Sequence, residues 1–95
     1  MENLGRLEEI RESINALDQE IVQLLAEREG YVRQAAHFKK TPEDMETPKR
    51  AEEVIQRVRK LANGYGGSPD VAEEVYRTMI SRFVSLMNEH ADDPC

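Results

Sequence analysis

The chain has 95 residues, so it forms one domain at most, and its formal net charge of −6 argues against nucleic acid as the main partner because neutralising phosphates requires a basic face. It opens without a basic and apolar leader and has no run of about 18 apolar residues, so neither a membrane span nor a membrane partner is expected. The only cysteine, Cys95, cannot form an internal disulfide, and we therefore expect a cytoplasmic protein.

The first predicted element is a long helix from about residue 4 to about residue 40. Its apolar residues recur at steps of three, four or seven, which is the period of an amphipathic helix. They are Leu7, Ile10, Ile14, Leu17, Ile21, Leu24, Leu25 and Val32. Such a helix is about 54 Å long, whereas a compact chain of this size has a radius of gyration of about 12 Å. Two shorter helices cannot cover it, so we predict an antiparallel homodimer in which a second copy buries the stripe.

Two shorter helices follow in the sequence. The second is predicted over about 48–62, where a Thr-Pro pair supplies an N-cap and a first-turn residue, and a glycine-rich segment ends it. The third is predicted over about 69–90, where a Ser-Pro pair does the same. No segment alternates as a strand would. The sequence therefore predicts an all-α fold, one domain over residues 1–95 with three helices and a long first helix.

Basic residues accompany the apolar stripe of the first helix. Arg28 and Lys39 are 11 residues apart, nearly a whole number of turns, so both point the same way about 16 Å apart. Arg11 lies about 25 Å before Arg28, so one straight helix cannot bring these two to one small molecule. Two antiparallel copies can, and Arg50 at the start of the second helix can close the same cavity around an anion. Alternatively, the charged ends lie in water, with Arg11 paired to Glu8.

The segment IRESINALDQEIVQLLAER, followed by YVRQAAHFK, resembles the all-helical (AroQ-class) chorismate mutase family. The positions in register are Arg11, Leu17-Asp18, Leu24-Leu25, Arg28 and Lys39. YVRQAAHFK and TPKRAEEVI are especially similar to the isochorismate pyruvate lyase branch of that family. The resemblance implies an intertwined antiparallel homodimer with shared active sites. It also implies a pericyclic reaction on chorismate or a close relative, with no cofactor and no metal.

The resemblance further implies a role for each cation. Arg28 and the Arg11 of the partner chain would hold the two carboxylates of the substrate, and Arg50 would complete that clamp. Lys39 would donate to the ether oxygen, where negative charge develops as the C–O bond breaks. Lys39, Arg28 and Arg11 are therefore the expected catalytic residues. The expected substrate-binding residues are Arg11, Arg28, Ala35, Lys39, Arg50, Ala51, Ile80, Phe83 and Met87.

Three of these positions depart from the mutase pattern. Ala51 stands where mutases have a Glu that contacts the ring hydroxyl, and Phe83 stands where they have a small polar residue. Met87 stands where a Gln donates to the ether oxygen, and a thioether cannot donate. Beside a chorismate mutase, two alternatives therefore stay open. One is an isochorismate pyruvate lyase that gives salicylate and pyruvate, and the other is a helical dimer that binds a dicarboxylate or a partner, or only dimerises.

Overall fold

The computed structural model describes residues 2–38 and 48–91. Within them the chain forms three α-helices, α1 (Glu2–Ala36), α2 (Pro48–Gly64) and α3 (Pro69–Ala91), and no strand. The predicted all-α fold with a long first helix is thus confirmed. None of the helices in this part of the chain is long and apolar enough to span a membrane. Contacts divide the chain into two compact units, Met1–Tyr31 and Val32–Cys95, so the single domain stays a prediction, as does the homodimer.

The end of α1 differs from the prediction. The helix has 35 residues and ends at Ala36, whereas the periodicity predicts an end at about residue 40. After it, the amide N–H of His37 donates to the carbonyl of Gln34 (3.1 Å), and that of Phe38 donates to the carbonyl of Ala35 (3.0 Å). These bonds reach three residues back instead of four, so a tighter turn follows the helix at His37 and Phe38.

The apolar stripe of α1 is exposed in the single chain. Seven of its leucine and isoleucine side chains are 38–60% exposed, half on average: Leu7, Ile10, Ile14, Leu17, Ile21, Leu24 and Leu25. An exposed apolar stripe of this length indicates an interaction site.

The core of the second unit lies between α2 and α3. Val54, Ile55 and Val58 of α2 pack with Ile80 of α3, and all four are buried. The α2 residues lie at spacings of one, three and four, so they share one face of the helix. Ile55 is completely buried, which fixes this face of α2 against α3. The partly buried side chains around this cluster are Ala51, Ala72, Tyr76 and Val84.

The connection from α2 to α3 is a short turn with defined hydrogen bonds. The N–H of Gly67 donates to the carbonyl of Ala62 (2.8 Å), and the N–H of Gly66 donates to the carbonyl three residues back (3.1 Å). This pair of bonds is a Schellman motif, and Gly66 has the left-handed φ of 81° that the motif requires. The Ser68 Oγ then accepts a hydrogen bond from the N–H of Val71 (3.2 Å) and so caps α3. The turn therefore holds α2 and α3 antiparallel.

Candidate active site

Two of the expected site cations lie on α1. Arg11 is exposed, and its Nη1 donates to Oε1 of Glu8 at 3.4 Å, one helical turn earlier. An exposed pair of this kind contributes less than about 1 kcal/mol, so a substrate carboxylate can displace Glu8 at little cost. Arg28 is partly buried, and its Nη1 atom is shielded from solvent. About 25 Å of helix separates Arg11 from Arg28, so one chain does not bring them together.

Three other expected site residues are Lys39, Arg50 and Ala35. Lys39, the expected donor to the ether oxygen, lies outside the described residues. Arg50 is in the first turn of α2 and is exposed. Ala35 is exposed near the end of α1. Among the described residues, no three His, Cys, Asp or Glu side chains are grouped closely enough to hold a metal ion.

An open cavity of about 320 Å³ lies between α2 and α3. It brings together two of the expected substrate contacts, Ala51 from α2 and Ile80 from α3. Phe83 is partly buried and Met87 is 5% exposed, and neither lines this cavity. The complete lining is Ala51, Ile55, Arg77, Ile80, Ser81, Val84 and Ser85. The cavity therefore has an apolar floor and a polar edge that belongs to α3.

Sequence reasoning missed the polar edge of this cavity. Ser81 and Ser85 are four residues apart, and Arg77 is four residues before Ser81, so all three lie on one face of α3. That spacing is visible in the sequence beside the apolar stripe. It could have indicated a polar strip next to the core, although not that α2 would leave a cavity there.

A chain of ion pairs ties Arg77 to both helices. Its Nη2 lies 2.9 Å from Glu52 of α2, and its Nε lies 2.7 Å from Glu73 of α3. Nη1 of Arg59 lies 2.7 Å from Glu73 and 3.0 Å from Asp70. The network has two cations and three carboxylates, which gives a net charge of −1. Arg77 is therefore already neutralised and is not a clamp for an anion.

The ionisation of this network follows from its hydrogen bonds. The bond with Glu52, and then the bond with Glu73, raises the pKa of Arg77. The bond with Asp70 similarly raises the pKa of Arg59. The bond from Arg77, and then the bond from Arg59, lowers the pKa of Glu73 below its usual 4.5. These shifts favour the charged forms of Arg59, Glu73 and Arg77, so the network holds α2 and α3 together by charge-assisted bonds.

Comparison with known proteins identifies a family that matches this chain. The family model for type II chorismate mutases matches residues 10–88 of the chain. The chain is also 24% identical over 91 residues to a chorismate mutase of Methanocaldococcus jannaschii, an alignment that covers 95% of this chain and 92% of that protein. No solved structure matches the chain. The matched range contains all four cations that the sequence places at the site, Arg11, Arg28, Lys39 and Arg50.

Proposed function

The chain belongs to the type II chorismate mutase family, and we propose that it is a chorismate mutase, an isomerase that converts chorismate to prephenate. The observation that carries this proposal is the extent of the family match, residues 10–88 of 95. It includes segments of all three helices as well as the four cations, so the likeness is to a whole catalytic domain. The relative of similar length, from Methanocaldococcus jannaschii, supports the same activity.

The chemistry needs few protein groups. In this rearrangement the ether C–O bond breaks while a C–C bond forms, and the electrons move around a six-membered ring of substrate atoms. No proton, electron or group leaves the substrate, so the step requires neither a nucleophile nor a general base. The protein accelerates it by holding the reactive conformer and by stabilising the charge that separates between the ring and the ether oxygen.

We assign that work to the cations. Arg28 and the Arg11 of a second copy hold the two carboxylates of chorismate, because guanidinium groups bind carboxylates through two parallel hydrogen bonds. Arg50, exposed at the start of α2, completes the clamp. Lys39 donates to the ether oxygen, and the loss of one such donor raises the barrier by about 3 kcal/mol. Catalysis then depends strongly on Lys39, because Met87 offers no second donor.

A homodimer is part of the proposal. The half-exposed stripe of α1 needs a cover, and an antiparallel second α1 supplies an equally long apolar surface. A two-fold axis midway between Arg11 and Arg28 places the Arg11 of one copy opposite the Arg28 of the other. The stripe from Leu7 to Val32 has the same midpoint, between residues 19 and 20. One arrangement therefore buries the stripe and joins the two arginines at each of two equivalent sites.

Turnover measurements test this function. The purified chain should convert chorismate to prephenate, identified by chromatography, with isochorismate assayed beside it under the same conditions. Lys39→Ala should lower kcat by about 100-fold or more. Lys40→Ala is the matched control, because it removes the same charge at the next residue and should leave kcat almost unchanged.

Other outcomes would assign a different function. Faster conversion of isochorismate, with release of salicylate and pyruvate, would make the chain a lyase. If neither substrate is consumed above the uncatalysed rate, the enzyme proposal is wrong. In that case a rise in Tm at saturating chorismate would leave a dicarboxylate-binding dimer, since a ligand at 100 times its Kd stabilises by about 2.7 kcal/mol. If Tm does not rise at saturating chorismate, the chain is a dimerisation domain that does not bind this ligand.

A further inference from the structure

The cavity between α2 and α3 has the chemistry of a site for a small ring with a polar substituent. Its volume of about 320 Å³ is at the lower end of the usual range for ligand pockets. Ile55 and Ile80 in its lining are 0% and 6% exposed, so the apolar floor is held rigidly by the core. Ser81 and Ser85 lie one helical turn apart at its edge, and each hydroxyl can both donate and accept a hydrogen bond.

The charges around the cavity select the kind of substituent. Arg77 is the one cation in the lining, and it is bound by Glu52 and Glu73. The whole ion-pair network to which it belongs carries a net charge of −1. A carboxylate placed here would be repelled by that charge and would have to compete with two side-chain carboxylates. A neutral hydroxyl meets no such penalty, because it can bond to a serine.

We infer that Ser81 and Ser85 recognise the ring hydroxyl of the substrate and so help to determine its specificity. The inference rests on the proposed function, because chorismate carries two carboxylates, an ether and one neutral ring hydroxyl. The inference assigns the hydroxyl to this cavity and leaves the two carboxylates to the cations of the proposed clamp. Ala51 and Ile80 support this assignment, since both are expected substrate contacts and both line the cavity. Ala51 contributes no polar group, which leaves the hydroxyl to the serines of α3.

Binding of two ligands to matched variants tests the inference. Calorimetry compares chorismate with the analogue that lacks the ring hydroxyl, on the full chain and on Ser81→Ala, Ser85→Ala and the double variant. Thr78→Ala is the control, because it removes an exposed hydroxyl from the same helix outside the cavity. Alanine is the best helix former, and both serines are exposed, so the variants should keep their fold and Tm.

The expected result is a loss that depends on the ligand. The double variant should bind chorismate about 5- to 10-fold more weakly, which is the effect of losing a hydrogen bond between neutral groups. It should bind the analogue within about two-fold of the full chain, and Thr78→Ala should bind both ligands normally. In turnover assays, KM should rise by the same factor while kcat changes little, because the hydroxyl does not react.

The outcomes separate the inference from the proposed function. If chorismate is turned over but the serine variants bind both ligands equally well, or weaken both by the same factor, the serines do not contact the hydroxyl and the inference is wrong. If chorismate is not turned over but its binding shows the ligand-dependent loss, the recognition is right and the catalytic proposal fails. If the full chain neither binds nor converts chorismate, both are wrong.

Discussion

Replacing Ile14 by glutamate tests whether the α1 stripe is the dimer interface. Ile14 is 49% exposed in the single chain, so covering the rest of it in a dimer contributes about 1 kcal/mol from each copy. A carboxylate buried there without a partner costs at least about 2 kcal/mol more. Because the dimer has two-fold symmetry, the lost apolar burial and the cost of the buried carboxylate each occur once in each copy. Association should therefore weaken by about 6 kcal/mol or more, a factor of about 10⁴ in the dissociation constant.

Sedimentation equilibrium measures this change directly. The unchanged protein should have twice the 10.9 kDa mass of the chain at micromolar concentration, and Ile14→Glu should have the monomer mass. Val22→Glu is the matched control, because Val22 is 63% exposed but lies about 100° from the centre of the stripe. It should leave the dimer intact. A monomeric unchanged protein, or equal weakening by the two substitutions, would refute the assignment of the stripe as the interface.

Three further changes test the fold and the chemistry. Gly66→Ala should lower the free energy of unfolding by about 1 kcal/mol, because φ is 81° there. Thermal melting should show this, while Gly64→Ala, at a position without a positive φ, should not lower Tm. The depressed pKa of Glu73 means that the stability it contributes is complete above pH 4.5 and is lost as the pH falls below that value. Glu73→Gln should therefore be less stable than the unchanged chain at neutral pH, with a shallower acid decline of Tm. Met87→Gln should raise kcat for chorismate by about ten-fold or more, since an amide can donate to the ether oxygen. An unchanged rate would show that the assumed register of α3 is wrong.

The fold could be predicted because its signals are local. The 3.6-residue period over α1, the Ser-Pro pair before α3 and the glycine at the end of α2 each act within a few residues. The end of α1 could not be predicted to better than a turn. Residues 37–40 contain neither glycine nor proline. The sequence therefore does not indicate where the backbone hydrogen bonds change from the carbonyl four residues back to the carbonyl three residues back.

The site was less predictable because it depends on distant residues. Periodicity identifies the apolar face of α3 but not the width of the space that α2 leaves beside it. The small side chain of Ala51 lines this space from α2, and Ser81 and Ser85 line it from α3. Likewise, the spacing of Arg11 and Arg28 shows only that one helix keeps them apart. In the proposed dimer their convergence requires two chains, and the only sign of a second chain in the sequence is the long apolar stripe of α1.

The ion pairs of the second unit also bear on where a dianionic substrate can bind. Arg59 and Arg77 are bound to three carboxylates, so they do not add to the positive charge that the substrate meets. With a net charge of −6, the chain as a whole repels a dianion at long range rather than steering it inward. Affinity must therefore come from contacts shorter than the screening length of about 8 Å, which favours bidentate guanidinium pairs over a diffuse basic surface. Arg11, whose exposed bond to Glu8 is easily exchanged, is suited to such a contact beside the Arg28 of a second copy in the proposed dimer.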